Sequence, residues 1–67
     1  MIKFYYVENK YLKEFLYRGQ GGEYRLGQIP DLFLSRDKAF RAYEDYRTGI
    51  KMTGKLSPSL EIKEIDL

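Results

Sequence analysis

The amino-acid sequence predicts an α+β fold: a small antiparallel β-sheet in β-β-β-α-β order with one amphipathic helix packed across it. Segments rich in β-branched and aromatic residues, which favour strands, lie near both ends of the chain. Glycine-containing turns divide the first half into short segments. One stretch, residues 35–49, combines helical periodicity with a start signal and a stop signal. Strands that precede and follow one helix are typical of the α+β class.

The chain is predicted to form a single domain, residues 1–67, with a small core. A chain of 67 residues buries only about 60% of the surface of its unfolded state. It contains no cysteine and no histidine, so neither disulfides nor ordinary zinc sites can add stability. Carboxylates alone could hold calcium or magnesium, but no run such as D-x-D-x-D-G appears, so we expect no metal and no cofactor. A protein partner, including a second copy of the chain in a homo-oligomer, is expected to supplement the core.

Residues 2–7 are predicted to form the first strand. Both of its faces are partly apolar, which favours a central place in the sheet. A turn is expected at residues 8–10, because Asn9 tolerates left-handed backbone geometry. Residues 11–18 are predicted to form the second strand and to pair back on the first. A helix is the alternative there, since its apolar residues also fit helical spacing.

Residues 19–22 are rich in glycine and are expected to connect the second strand to a short third strand at residues 23–26. A turn follows at residues 27–31, where a proline restricts the preceding residue to extended geometry. Residues 32–34 then lead the chain into the helix.

The helix is predicted to begin after Ser35 and to end at Gly49. Ser35 is a favourable N-cap, and Asp37 places a negative charge at the positive end of the helix dipole. Gly49 lies where a left-handed residue closes a helix. The apolar stripe expected to face the sheet consists of Ala39, Phe40, Ala42, Tyr43, Tyr46 and Ile50.

Residues 51–59 contain glycine, proline and serine and are predicted to form a loop. Residues 60–67 are predicted to form the last strand. Its alternation of apolar and polar residues slips by one position after Ile62. A β-bulge near Lys63 and Glu64 would produce such a slip and would return Ile65 to the inward face.

The charges exclude a strong electrostatic attraction to nucleic acid or to anionic lipid. Twelve basic and 10 acidic residues leave a net charge of +2. No stretch approaches the roughly 18 uninterrupted apolar residues of a membrane span, and the first residues lack the apolar region of a signal peptide. We therefore expect a cytoplasmic protein without a membrane partner.

Catalysis is not expected. Without cysteine and histidine the chain has neither a thiol nucleophile nor an ordinary general base near neutral pH. Glu44 and Asp45 are adjacent carboxylates, but neighbours on a helix point about 100° apart and cannot flank one substrate atom. The sequence therefore favours a protein that acts by binding.

The aromatic content predicts a binding surface. Seven tyrosines and 4 phenylalanines are more rings than a core with one helix encloses, so some should lie exposed on a sheet face or an edge strand. Tyrosine and arginine are frequent anchors of protein interfaces. The predicted contact residues are Tyr11, Tyr17, Arg18, Tyr24 and Arg25. A second set, on the polar face of the helix, consists of Arg41, Glu44, Asp45 and Arg47.

A nucleic-acid or small-nucleotide binding protein is the alternative. The same tyrosines could stack on bases while Arg18 and Arg25 hold phosphates. The glycines at residues 19–22 resemble a phosphate-cradling loop, but the lysine and hydroxyl residue that complete a P-loop are missing, and Glu23 would repel a phosphate. This alternative therefore ranks below protein binding.

Four segments resemble small accessory proteins of bacteriophages and prophages. They are the start Met-Ile-Lys-Phe, the helix entry Leu-Phe-Leu-Ser, the helical run Lys-Ala-Phe-Arg-Ala-Tyr-Glu and the ending Leu-Glu-Ile-Lys-Glu-Ile-Asp-Leu. The resemblance covers most of the chain and transfers no functional residue. It implies a phage protein of the host-cell cytoplasm that binds and inhibits a host protein or a host-defence protein. The net charge of +2 separates the chain from acidic inhibitors that mimic DNA.

Overall fold

The computed structural model describes residues 2–52, 54 and 59–67, without the side chain of Lys51. A four-stranded antiparallel sheet and one helix form the described part of the chain, and the helix packs against the sheet. The predicted α+β class and the β-β-β-α-β order are confirmed. The elements are β1 (Lys3–Asn9), β2 (Phe15–Arg18), β3 (Tyr24–Gly27), α1 (Arg36–Met52) and β4 (Leu60–Asp66).

Strand β1 lies inside the sheet, whose strand order is β3-β2-β1-β4. On one side β1 pairs with β4 along its whole length, from Lys3 opposite Asp66 to Asn9 opposite Leu60. On the other side it pairs with β2. The central place predicted from its two apolar faces is therefore confirmed, because both backbone edges of β1 are occupied.

The segment from Asp31 to Phe33 fills the space where β1 and β2 diverge. The backbone N–H of Asp31 donates to the carbonyl of Leu16 at 3.1 Å, and the Asp31 carboxylate accepts from the N–H of Arg18 at 2.9 Å. Phe33 exchanges two backbone hydrogen bonds with Tyr5, at 2.8 and 2.7 Å. The carboxylate thus replaces a backbone carbonyl, and the sheet edge of β2 stays satisfied.

The core lies between α1 and one face of the sheet. Val7 and Leu16 are fully buried on the sheet, and Ala39 and Ala42 are buried on the helix. The small alanine side chains allow the helix backbone to approach the strands closely. The half-buried residues packed around this centre are Tyr5, Tyr24, Leu26, Phe33, Tyr43, Tyr46, Leu60 and Ile62.

The helix begins as predicted but ends later. The hydroxyl of Ser35 accepts a hydrogen bond from the N–H of Lys38 at 3.2 Å, which confirms the N-cap. The predicted end at Gly49 is wrong, because the helix continues to Met52 and Gly49 lies within it. The left-handed glycine is Gly54, with φ +77°. An exposed glycine inside a helix costs only about 1 kcal/mol, too little to end it. Of the predicted loop, the parts at residue 53 and at residues 55–58 lie outside the described residues.

The first turn differs from the prediction because Asn9 ends β1 instead of forming the turn. Asn9 is only 2% exposed, and its Oδ1 accepts hydrogen bonds from the N–H groups of Tyr11 at 3.0 Å and Leu12 at 3.2 Å. Lys13 then adopts a left-handed conformation with φ 55°. The strand predicted at residues 11–18 therefore starts only at Phe15, because the Asn9 side chain offers the backbone a turn in place of a sheet ladder.

Strand β3 begins and ends one residue later than predicted and includes Gly27. A Cβ atom at Gly27 would lie 2.8 Å from the ring of Tyr17. Gly27 is therefore a strand residue whose missing side chain leaves room for a ring on the neighbouring strand.

The β-bulge predicted near Lys63 and Glu64 is wrong. Strands β1 and β4 pair without interruption, so side chains alternate regularly to the end of β4. Ile65 consequently points away from the helix, on the same face as Phe4 opposite it. The slip in hydrophobicity reflects apolar residues on both faces of the strand.

The helix of the described residues is not a candidate for spanning a membrane, being too short and too rich in charged residues.

We expect Asn9→Ala to lower the free energy of unfolding by about 1–2 kcal/mol, because two backbone donors lose their acceptor. Urea unfolding followed by circular dichroism measures the change. As a control, Gln20→Ala removes an exposed amide from the other hairpin and should change stability by less than about 0.5 kcal/mol. Equal losses in the two variants would contradict the role assigned to Asn9.

We expect Lys13→Gly to raise the free energy of unfolding by about 0.5–1 kcal/mol. Left-handed backbone geometry strains a residue that has a Cβ atom, whereas glycine adopts it without strain. The neighbouring Lys10 lies in the same turn with negative φ, so Lys10→Gly should bring no gain. Thermal unfolding of both variants tests this. A gain at Lys10 as large as that at Lys13 would refute the strain.

Candidate protein-binding surfaces

The sheet face opposite α1 carries a group of apolar side chains beside charged ones. Side chains alternate along each strand, so the residues next to those that pack on the helix point to this face. Ile2 and Leu67 extend it beyond the strand ends, since they exchange backbone hydrogen bonds at 3.1 and 2.9 Å. We call this surface the open sheet face; it consists of Ile2, Phe4, Tyr6, Phe15, Tyr17, Ile65 and Leu67.

The rings on the open sheet face are half-buried by one another, whereas the aliphatic end is more exposed. Tyr6 and Phe15 meet edge to face, with centroids 5.8 Å apart, and the Tyr17 ring covers Gly27. Ile65 is 40% exposed and Leu67 is 65% exposed. The helix of the described residues lies on the other side of the sheet, so it covers none of these side chains.

The cations beside these rings are paired with carboxylates. Lys63 stands opposite Tyr6 and binds Glu8 at 3.3 Å and Glu61 at 3.5 Å. The hydrogen bond and charge of Glu8, followed by Glu61, raise the pKa of Lys63. Arg25 stands opposite Tyr17 and binds Glu23 at 2.8 Å. The open sheet face therefore carries little unbalanced charge.

A groove of 1040 Å³ lies on the other side of the sheet, between the β2–β3 hairpin and the C-terminal half of α1. The guanidinium of Arg18 lies over the ring of Tyr24, 5.9 Å from its centroid, and donates from Nε to the carbonyl of Gly22 at 3.2 Å. The other residues that line the groove include Leu12, Glu14, Asp45 and Tyr46. The groove thus combines apolar walls with charges of both signs.

The glycine hairpin surrounds a carboxylate of its own chain. Gly19 donates to the carbonyl of Glu23 at 2.7 Å, and Gly22, with φ +89°, donates to the carbonyl of Gly19 at 3.0 Å. A Cβ atom at Gly21 would lie 2.5 Å from Glu23 Oε2. A phosphate that entered this loop would meet the negative charge of Glu23, and this geometry disfavours an anion site there.

The five contact residues predicted on the sheet do not form one cluster. Tyr17 and Arg25 are a cross-strand pair on the open sheet face. Arg18 and Tyr24 are the adjacent pair, and alternation directs them into the groove on the opposite face. Tyr11 lies in the turn before β2 and is 75% exposed.

The second predicted set lies on α1. Arg41, Asp45 and Arg47 are exposed, and Glu44 is half-buried. Asp45 lines the groove beside the hairpin, together with Arg18. The helix set therefore meets the sheet set at this groove and not on the open sheet face.

Sequence reasoning missed Phe4, Tyr6, Phe15 and Ile65 as surface residues. The signal was present in the first strand, whose two faces are both apolar although one helix can cover only one of them. For Ile65 the false expectation of a bulge concealed the signal.

Tyr46 on α1 has a perturbed hydroxyl beside the groove. Burial, and after it the negative charge of Glu14, raise the pKa of Tyr46 above its usual value near 10.0. The folded state therefore holds the Tyr46 proton more tightly than the unfolded state does. The protonated Tyr46 hydroxyl therefore contributes to the free energy of unfolding. That contribution is complete below pH 10 and is lost as the pH rises through the folded-state pKa of Tyr46.

Comparison of the chain with protein-family models, with curated proteins and with solved structures gives no match. The surfaces described above are therefore the basis for assigning a function.

We expect Glu14→Gln to lower the pKa of Tyr46 while leaving it above that of a free tyrosine, because burial persists. The tyrosinate absorbance, taken as the difference between titrations with and without Tyr46→Phe, isolates this hydroxyl from the other tyrosines. As a control, Glu64→Gln removes an acid from β4 and should leave the Tyr46 titration unchanged. A Tyr46 titration that Glu14→Gln does not shift would exclude the electrostatic contribution.

Proposed function

We propose that this protein is a stoichiometric protein-binding module whose open sheet face contacts the partner. The observation that carries the proposal is the apolar surface formed by Phe4, Tyr6, Phe15, Tyr17 and Ile65, which the helix of the described residues leaves uncovered. Large contiguous apolar patches are rare on monomeric proteins and mark sites of interaction. The partner is accordingly a protein that offers an apolar patch of similar extent.

The chemistry of the open sheet face suits an interface. Its rings are held by cross-strand packing, as in the contact between Tyr6 and Phe15, so little side-chain entropy is lost on binding. Tyrosine contributes a large apolar area together with a hydroxyl that hydrogen-bonds at the rim. Lys63 and Glu8 stand beside the rings of Tyr6 and Phe15, and the ion pair between them neutralises their charges within the interface.

The biological role that we propose is inhibition of a host protein or a host-defence protein in the cytoplasm of a bacterium. This part of the proposal rests on the resemblance to small accessory proteins of bacteriophages and prophages. A chain without histidine and cysteine is poorly equipped for acid-base or nucleophilic catalysis, so we propose that it acts by occluding a surface of its target.

Nucleic-acid or small-nucleotide binding is the second candidate. It is favoured by two cross-strand pairs on the open sheet face, Tyr6 with Lys63 and Tyr17 with Arg25, in each of which a cation stands beside a ring. The ion pairs of both cations weigh against it, because each would have to be broken before a phosphate is bound.

We expect Ile65→Glu to abolish capture of the partner, because it places a charge beside Phe4 within the apolar surface. Tagged protein is used to capture partners from a bacterial lysate, with and without nuclease. Mass spectrometry then measures their stoichiometry. Met52→Glu introduces the same charge at an exposed apolar residue of the helix end and should leave capture unchanged. Circular dichroism verifies that both variants fold.

A host protein that is captured in equal amounts with the wild type and with Met52→Glu, survives nuclease and is lost with Ile65→Glu supports the proposal. A protein that binds both variants equally would move the binding site away from the open sheet face. Recovery that disappears with nuclease would reject protein binding and favour the second candidate, whose affinity should fall steeply with salt.

A further inference from the structure

Strand β4 ends the sheet and leaves one backbone edge unpaired with any described residue. Ile2 and Leu67 exchange both of their hydrogen bonds, and such pairs alternate along an antiparallel ladder. Glu61, Lys63 and Ile65 therefore bond to β1, whereas the residues between them direct their N–H and C=O groups outward. The outward residues are Leu60, Ile62, Glu64 and Asp66.

This edge has charged side chains but lacks the other usual protections against pairing with another chain. Edge strands are commonly shortened, bulged or interrupted by proline, but β4 is a 7-residue strand of regular register with none of these features. A lysine is the other common guard. In β4 the charge of Lys63 is already engaged by Glu8 and Glu61.

We propose that β4 pairs with β4 of a second copy of this chain, antiparallel and about a two-fold axis at Ile62. The pairing continues the sheet through both copies, with the two helices on one side. The two open sheet faces then form one surface on the other side. This inference goes beyond the proposed function, because the partner here is the chain itself and either interaction can exist without the other.

The charges of β4 select this register. A residue whose N–H and C=O point outward can hydrogen-bond only to such a residue of the second copy. Since these are the even-numbered residues of β4, the two-fold axis must lie at the position of one residue and not between two residues. An axis at Glu61, Lys63 or Glu64 places that charged residue opposite itself. An axis at Ile65 places Glu64 opposite Asp66 twice, and one at Asp66 opposes two carboxylates. Charges opposed in this way destabilise a strand pair.

The axis at Ile62 opposes no like charges. It places Glu61 of each copy opposite Lys63 of the other, which gives two reciprocal ion pairs, and it places Ile62 opposite Ile62. Leu60 faces Glu64 of the second copy. An axis at Lys63 would overlap the whole of both strands but would oppose the two Lys63 side chains, and an axis at Leu60 would overlap only their beginning. The register at Ile62 pairs residues 60–64 of both copies and opposes complementary charges.

A cleft beside the same edge, which Arg36, Asp37 and Glu61 line together with apolar side chains, supports the pairing. It has a volume of 440 Å³, and its apolar walls are Phe40 and Tyr43 of α1 and Leu60 and Ile62 of β4. Phe40 stacks on Tyr43 at 6.1 Å, yet it is 51% exposed. Ile62 of the second copy lies at the mouth of this cleft in the proposed register and covers apolar surface that one copy leaves in water.

Charge exchange between Glu61 and Lys63 tests the register. Sedimentation equilibrium of the full chain should give a mass twice the 8.0 kDa of one copy. Lys63→Glu alone and Glu61→Lys alone each create two repulsive pairs, and each should weaken the dimer about tenfold or more. An equimolar mixture of the two variants should restore dimers, because every opposed pair is again complementary. The double variant, with both substitutions in one chain, should also dimerise.

Arg47→Glu, a charge reversal on the exposed face of α1, is the matched control and should leave the dimer unchanged. Circular dichroism establishes that each variant folds, and the double variant retains a complementary pair if one of the others does not fold. A monomer at every concentration would overturn the proposal. If neither Lys63→Glu nor Glu61→Lys weakens the dimer, or if mixing the two variants does not restore it, the register and the β4 interface are both wrong.

Discussion

One helix covers one face of a four-stranded sheet, and this constraint governs the rest of the structure. Burial of Val7 and Leu16 beneath Ala39 and Ala42 forms the core on the helix side. The described residues provide no second helix for the other face, so the apolar side chains there can pack only against one another. The contact between the rings of Tyr6 and Phe15 is an example. A chain of this size has too little mass to bury both sides of a sheet.

The sheet depends on polar side chains at the places where its strands diverge. The carboxylate of Asp31 accepts the N–H of Arg18, and the amide oxygen of Asn9 accepts two N–H groups of the first turn. Each replaces a backbone acceptor that the ladder does not supply, and an unmet buried donor costs more than a made hydrogen bond contributes. Asn9 therefore shapes the turn that joins β1 to β2, whereas Asp31 lies where the two strands separate, close in sequence to the pairing of Phe33 with Tyr5.

The open sheet face and the β4 edge follow from the same shortage of covering structure, and they are the two surfaces for which we propose association. The face offers apolar area with neutralised charges at its margin, whereas the edge offers directed hydrogen bonds and a charge pattern that specifies a register. Because the strand pairing lies in the plane of the sheet, it would enlarge the face without covering it. Binding of a foreign protein and pairing with a second copy are therefore compatible.

The amino-acid sequence by itself determined the α+β class, the order of the elements, the Ser35 cap and the central place of β1, because periodicity and capping act over a few neighbouring residues. It could not locate the C-terminal end of α1 or the start of β2, since Gly49 and Tyr11 follow local preferences that packing and the Asn9 side chain override. It could not show that Tyr17 and Arg25 lie on one face of the sheet and Arg18 and Tyr24 on the other, because the face of each side chain depends on strand register. Only the tertiary structure placed Ile65 beside Phe4, since the uninterrupted pairing of β1 with β4 fixes the face of each side chain across distant parts of the chain.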